Sequence, residues 1–161
     1  MPLGRPLLDR LSAMPRFLRA CADQLPREEW ARPPAPGQFS LVEHCCHLRD
    51  LEEEGYLLRI RRMLRETGPA LEDFDGGSVA AARNYPAQDL ARALQAFVDA
   101  RSQNLAQLSA LGEQELARTG QFGAEGSITL VRLAEMMAAH DAEHRGEIES
   151  LFRSLKRPAP T

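Results

Sequence analysis

Near its C-terminal end the chain carries an apolar stripe with two steps missing. Leu130, Leu133 and Met137 lead in, Ile148, Leu151 and Leu155 lead out, and His140 and His144 take the places between. Steps of three and four residues mark one face of a helix. On a helix, positions i and i+4 differ by about 40° in direction and about 6 Å in height. Both imidazoles therefore point where the leucines point, into a core. Two neutral imidazoles converging in an apolar interior pack poorly but suit a divalent metal. Whatever element faces this helix must supply further ligands or polar partners.

Three other segments share the helical period, and none alternates as a strand would. The first covers about 5–25, with Leu7, Leu11, Met14, Leu18, Cys21 and Leu25 in its stripe and Pro15 predicting a kink or a late start. A loop rich in proline follows. The second begins at Ser40, where Ser40 and Glu43 spell a capping box, and runs to about Thr67 before Gly68-Pro69. Its stripe reads Leu41, Leu48, Leu51 and Leu58. A turn-rich stretch from Asp73 leaves room for one short helical turn near 78–83. The third covers about 86–111, with Pro86 in the first turn and Gly112 past the end. The glycine-rich loop 112–126 leads to the fourth, 127–155, and the tail 156–161 is expected to fray. The expectation is an all-α, single-domain chain over 1–161, a four-helix bundle whose long connections permit a crossover.

Composition removes several function classes. With 27% charged residues and a net charge of −3 there is no basic stripe for nucleic acid. The cluster Arg59, Arg61, Arg62 and Arg65, flanked by Glu52, Glu53 and Glu54, reads as a solvated helix face. Cys21, Cys45 and Cys46 form no disulfide framework. No run resembles a signal peptide or approaches the roughly 20 apolar residues of a membrane span. Reduced thiols, a cytoplasmic location and no membrane partner are the expectation.

A metal site needs a third ligand, and the other two histidines, His44 and His47, both lie on the second segment. His44 falls inside the arc of the apolar stripe and His47 at its edge, so periodicity leaves both open. The order Phe39-Ser40, His47-Leu-x-Asp50-x-Glu52, a long gap and then His140-x-x-x-His144 resembles the DinB/YfiT-like family of metal-binding four-helix bundles. The stretches Asp73-Phe-Asp-Gly-Gly and Arg-Asn-Tyr-Pro resemble a common subgroup of it. Phe39 stands where many members have tryptophan. The resemblance implies a DinB-like fold and one divalent ion (zinc, nickel or iron(II)) held by His47, His140 and His144, with His44 nearby as an alternative or a supporting partner. It implies a small-molecule substrate and thiol chemistry: S-transfer from a low-molecular-weight thiol, or a thiol-dependent isomerisation. Metal-dependent hydrolysis and a metal-holding stress or binding protein without turnover are the alternatives. Homodimers are frequent in such a family.

Competing patterns fit less well. His140-Asp-Ala-Glu143-His144 matches the H-x-x-E-H of inverzincin proteases, but too little chain follows to supply their further acidic ligand. A di-iron carboxylate bundle would need Glu-x-x-His pairs, which are missing. Cys45 and Cys46 read either as core packers or as reactive thiols. Arg101 interrupts the third stripe and is expected either to cover apolar surface with its stem or to face a cleft and hold an anionic substrate. Asp50, Glu52 and Asp141 are candidates to orient ligand imidazoles, with surface charge as the alternative. Met136 and Met137 read as core.

Overall fold

The computed structural model describes residues 3–161. Its long helices are α1 (Arg5–Gln24), a continuous helix made of α2 (Leu41–Asp50), a π-helical stretch (Leu51–Tyr56) and α3 (Leu57–Arg65), then α5 (Leu90–Ser109) and α7 (Leu130–Ser154). Between them lie α4 (Gly76–Arg83), α6 (Glu113–Leu116) and the strands β1 (Thr119–Phe122) and β2 (Gly126–Thr129). The four-helix bundle of the sequence reading is present. Among the described residues no helix is long and apolar enough to cross a membrane.

Side-chain caps set the helix starts. Ser40 accepts from the Glu43 N–H while the Glu43 carboxylate accepts from the Ser40 N–H, which is the predicted capping box. The side chains of Asp75, Asp89 and Thr129 cap α4, α5 and α7 by accepting from the N–H groups of Ser78, Arg92 and Arg132. These caps move two predicted boundaries. Pro86 lies in a separate 3-10 turn (Tyr85–Ala87), and α5 begins only after Asp89. Ser127 belongs to β2, so α7 begins at Leu130. Pro15 sits inside α1, which runs unbroken from Arg5 to Gln24.

Helix α1 packs against α5 and α7, and α2 packs against the same two. The first and second long helices therefore sit diagonally across the bundle, and the connection 25–40 crosses its end. The connection from α5 to α7 carries an antiparallel hairpin, with Gly120 opposite Ile128, where no strand was expected. Leu71 packs so close to Gly120 that a Cβ there would lie 2.8 Å from its Cδ1.

The π-helical stretch inserts one extra residue into the second helix and rotates everything after it by about 100°. Leu58, predicted to lie in the stripe, is 50% exposed in consequence, while Tyr56, Ile60 and Met63 are buried. Arg59 is buried as well and donates from Nε and Nη2 to the Glu72 carbonyl, so it is no part of a solvated face. The tail is held rather than frayed: the Gln24 amide donates to the Pro158 carbonyl, and Arg157 pairs with Glu29 at 2.8 Å.

The core divides into two apolar clusters. One joins Phe17, Leu18, Leu41, Phe97 and Ile148, and the other joins Leu11, Ile60, Leu108, Leu133 and Met137. The layer between them is polar. Buried Arg101 spends its five N–H groups there: Nε and Nη2 on Glu52, Nη1 and Nη2 on Asp141, and Nη1 on the Leu11 carbonyl. Asn104 adds a bond from Nδ2 to Glu52 Oε1 at 2.9 Å.

Candidate metal centre

All four histidines meet at one edge of this polar layer. Helix α2 presents His44 and His47 from the turn before the π-helical stretch, and α7 presents His140 and His144 opposite. The Nε2 atoms of His140 and His144 are 3.1 Å apart, and those of His140 and His47 are 3.5 Å apart. Four nitrogens set tetrahedrally at 2.0–2.1 Å from a zinc-like ion lie about 3.3–3.4 Å from one another. Both separations are close to that spacing, the ligand atoms of the three residues lie within 4.8 Å of one another, and these residues could hold a metal.

The rings are kept in the form that ligates. Burial pushes His47 and His140 down to about 4, with the neighbouring imidazole adding to the effect on His47 and Arg101 to that on His140. Burial and the three neighbouring imidazoles push His144 down to about 2. Neutral imidazole has a lone pair to donate, and imidazolium does not.

His144 turns its other edge to a second group. Its Nδ1 is 3.1 Å from Glu147 Oε2 and 2.9 Å from His44 Nδ1. A ring that ligates through Nε2 carries its proton on Nδ1 and donates it, and a carboxylate acceptor fixes the tautomer. His44 therefore lies behind His144 and not beside His47 and His140. His44, His144 and Glu147 also form a second donor cluster sharing His144. Glu147 escaped the sequence reading, although it stands three residues after His144 on the same helix face. His47 is held differently. Its Nδ1 is buried without a hydrogen-bond partner, and packing holds that side of the ring. Phe39 and Phe74 lie 5.7 and 6.1 Å from it between centroids, and a Cβ on Gly76 would come within 2.5 Å of its Cε1.

Several expected supporting residues are occupied elsewhere. Asp50 accepts from the Tyr85 hydroxyl at 2.6 Å and pairs with Arg49 and Arg83, which ties α2 to the segment after α4. Asp141 and Glu52 are taken up by Arg101. Arg101 faces no cleft and covers no surface; its charge is fully used inside the bundle. Cys45 and Cys46 are core packers, and burial raises both thiols, Cys46 to about 11. Raised thiols stay protonated near neutral pH, which disfavours them as nucleophiles.

A cleft of about 400 Å³ opens between the 34–39 loop and α7, with Phe39, His44, His144, Glu147 and Ser150 on its walls. It reaches the edge of His144 that turns away from the other two rings.

The fold is a four-helix bundle in which three histidines that could hold a metal meet between the second and last long helices. The DinB superfamily model matches residues 10–148, and the chain belongs to that superfamily. Among solved structures it is similar to YfiT from Bacillus subtilis, described as a probable metal-dependent hydrolase with an unusual four-helix bundle topology. The match has a TM-score of 0.85 at 20% identity and covers 94% of this chain and 87% of that one. No curated protein matches the sequence.

Proposed function

We propose that the protein is a metal-dependent enzyme acting on a small molecule, with one divalent ion held by His47, His140 and His144 and hydrolysis as its reaction. The observation that carries this reading is the convergence of three neutral Nε2 donors at spacings suited to a single ion with an open position. When bound, such an ion supplies Lewis acidity and lowers the pKa of water toward neutrality. The chain's own residues do the remaining work. His44 meets Nδ1 of His144 at 2.9 Å with the Glu147 carboxylate 3.1 Å away, and Phe39 and Phe74 shield the His47 ring. Similarity to YfiT, a probable metal-dependent hydrolase, supports the same reading.

Thiol S-transfer, which the family resemblance implies, is the second reading. An all-imidazole ligand set accepts a thiolate as readily as water. Against it, no Lys or Arg lines the cleft at His144 to meet a carboxylate-bearing thiol, because Arg101 is sequestered. The decisive experiment is the metal content of tag-free protein beside the His47→Ala variant. The metal-loaded protein is then assayed on esters and amides, and on electrophiles with and without thiol. Close to one ion per chain, lost in the variant, with thiol-independent turnover is the expected result. Turnover only with thiol would replace hydrolysis by transfer. Absence of metal after zinc or nickel is offered would overturn the enzyme reading.

A further inference from the structure

The cleft beside His144 has a one-sided chemistry. Its walls combine an aromatic ring, Phe39, and the rigid Pro34 with the polar groups of Gln38 and Ser150. Glu147 is the only carboxylate or ammonium-type charge among its lining residues. The imidazoles of His44 and His144 lie beside it, their Nδ1 atoms 2.9 Å apart. Glu147 turns Oε2 to His144 at 3.1 Å, and its side chain is 60% exposed. At about 400 Å³ the space falls within the range of small-molecule pockets.

We propose that this cleft binds the non-reacting end of the substrate, and that this end is a protonated amine carried on an apolar or aromatic body. The ammonium group pairs with Glu147, and the body lies on Phe39 and Pro34. A cation beside an aromatic face gains further attraction. An anionic end meets the Glu147 carboxylate with nothing of opposite charge on the cleft wall. The proposal deepens the metal-dependent reading by naming its substrate class.

Benzylammonium and benzoate, similar in size and opposite in charge, are the probes. Both are titrated calorimetrically into the metal-free His47→Ala protein, so that no ion can attract benzoate, and into Glu147→Gln on the same background. The glutamine keeps the shape and an acceptor for His144. Preference for benzylammonium by up to about fivefold is expected, as one exposed charge allows, and is lost in Glu147→Gln. Equal binding, tighter binding of benzoate, binding of neither probe, or a preference that survives Glu147→Gln overturns the proposal. Failure of the metal reading is seen separately, as absence of metal from the wild-type chain with the amine preference intact.

Discussion

Replacing Gly76 by alanine puts one methyl group where the candidate centre has no room for it. The added Cβ would lie 2.5 Å from His47 Cε1 and 2.7 Å from Nδ1. Non-bonded carbons settle at about 3.5 Å or more, so the ring or the start of α4 must give by about 1 Å. Ligand distances at a metal site tolerate only about 0.2 Å. His47 has no hydrogen bond on Nδ1 to pull it back into place. The expected outcome is a 10- to 100-fold loss of metal affinity, the range seen when support for a ligand is removed. Helicity should hold, because alanine is the better helix former. The neighbouring glycine supplies the control: a Cβ on Gly77 meets nothing nearer than Asp75 Oδ1 at 3.6 Å, an ordinary contact. Competition titration against a chromophoric chelator measures both variants, with circular dichroism alongside. Equal affinities for Gly76→Ala and Gly77→Ala would refute the claim that backbone proximity seats His47.

Other outcomes follow from the buried charges. Arg101→Met leaves Glu52 and Asp141 facing each other without a cation, and a loss of about 3–5 kcal/mol in urea unfolding is expected; a loss under 1 kcal/mol would mean the layer is not held by charge. Tyr85→Phe removes the hydroxyl bonded to Asp50 and should cost about 1–2 kcal/mol by the same assay, and no change would show that Arg49 and Arg83 alone satisfy the carboxylate. The four histidines, all held below their ordinary value and led in each case by burial, make metal-free stability depend on pH. The unfolded chain takes up protons near 6.5 and the folded chain only near 4 and below, so stability is full above about 6.5 and declines as pH falls. Melting temperature of the chelated protein should therefore drop from pH 7 to pH 5, and a flat profile would contradict the neutral cluster.

What the sequence made legible was whatever repeats with a period. Four stripes and a capping box led to four helices, and a gap in one stripe drew attention to His140 and His144. The readings that failed did so where the period breaks. Tyr56, Ile60 and Met63 carry their own helical spacing, about 100° out of phase with Leu41 and Leu48, and only a π-helical insertion reconciles the two. Leu58 and Arg59 were misplaced for that reason. Each hairpin strand is four residues long, too short for alternation to show among three nearby glycines. Arg101 and Glu52, 49 positions apart in sequence, announce nothing locally about their pairing. His44 and His47 could not be separated by helical phase because both are buried; the distinction lies in the partner each one meets, His144 Nδ1 for His44 and His140 Nε2 for His47.

The polar layer gives the bundle an axial index. Leucine faces alone permit neighbouring helices to slip by a turn, about 5.4 Å, and repack with similar contacts. A single guanidinium that must reach Glu52, Asp141 and the Leu11 carbonyl at once touches all four long helices and tolerates no such slip. Asp141 is the immediate neighbour of His140, and Glu52 follows His47 within two turns. Locking those two carboxylates to one cation therefore sets the height of α7 against α2, and with it the meeting of three rings brought from distant parts of the chain.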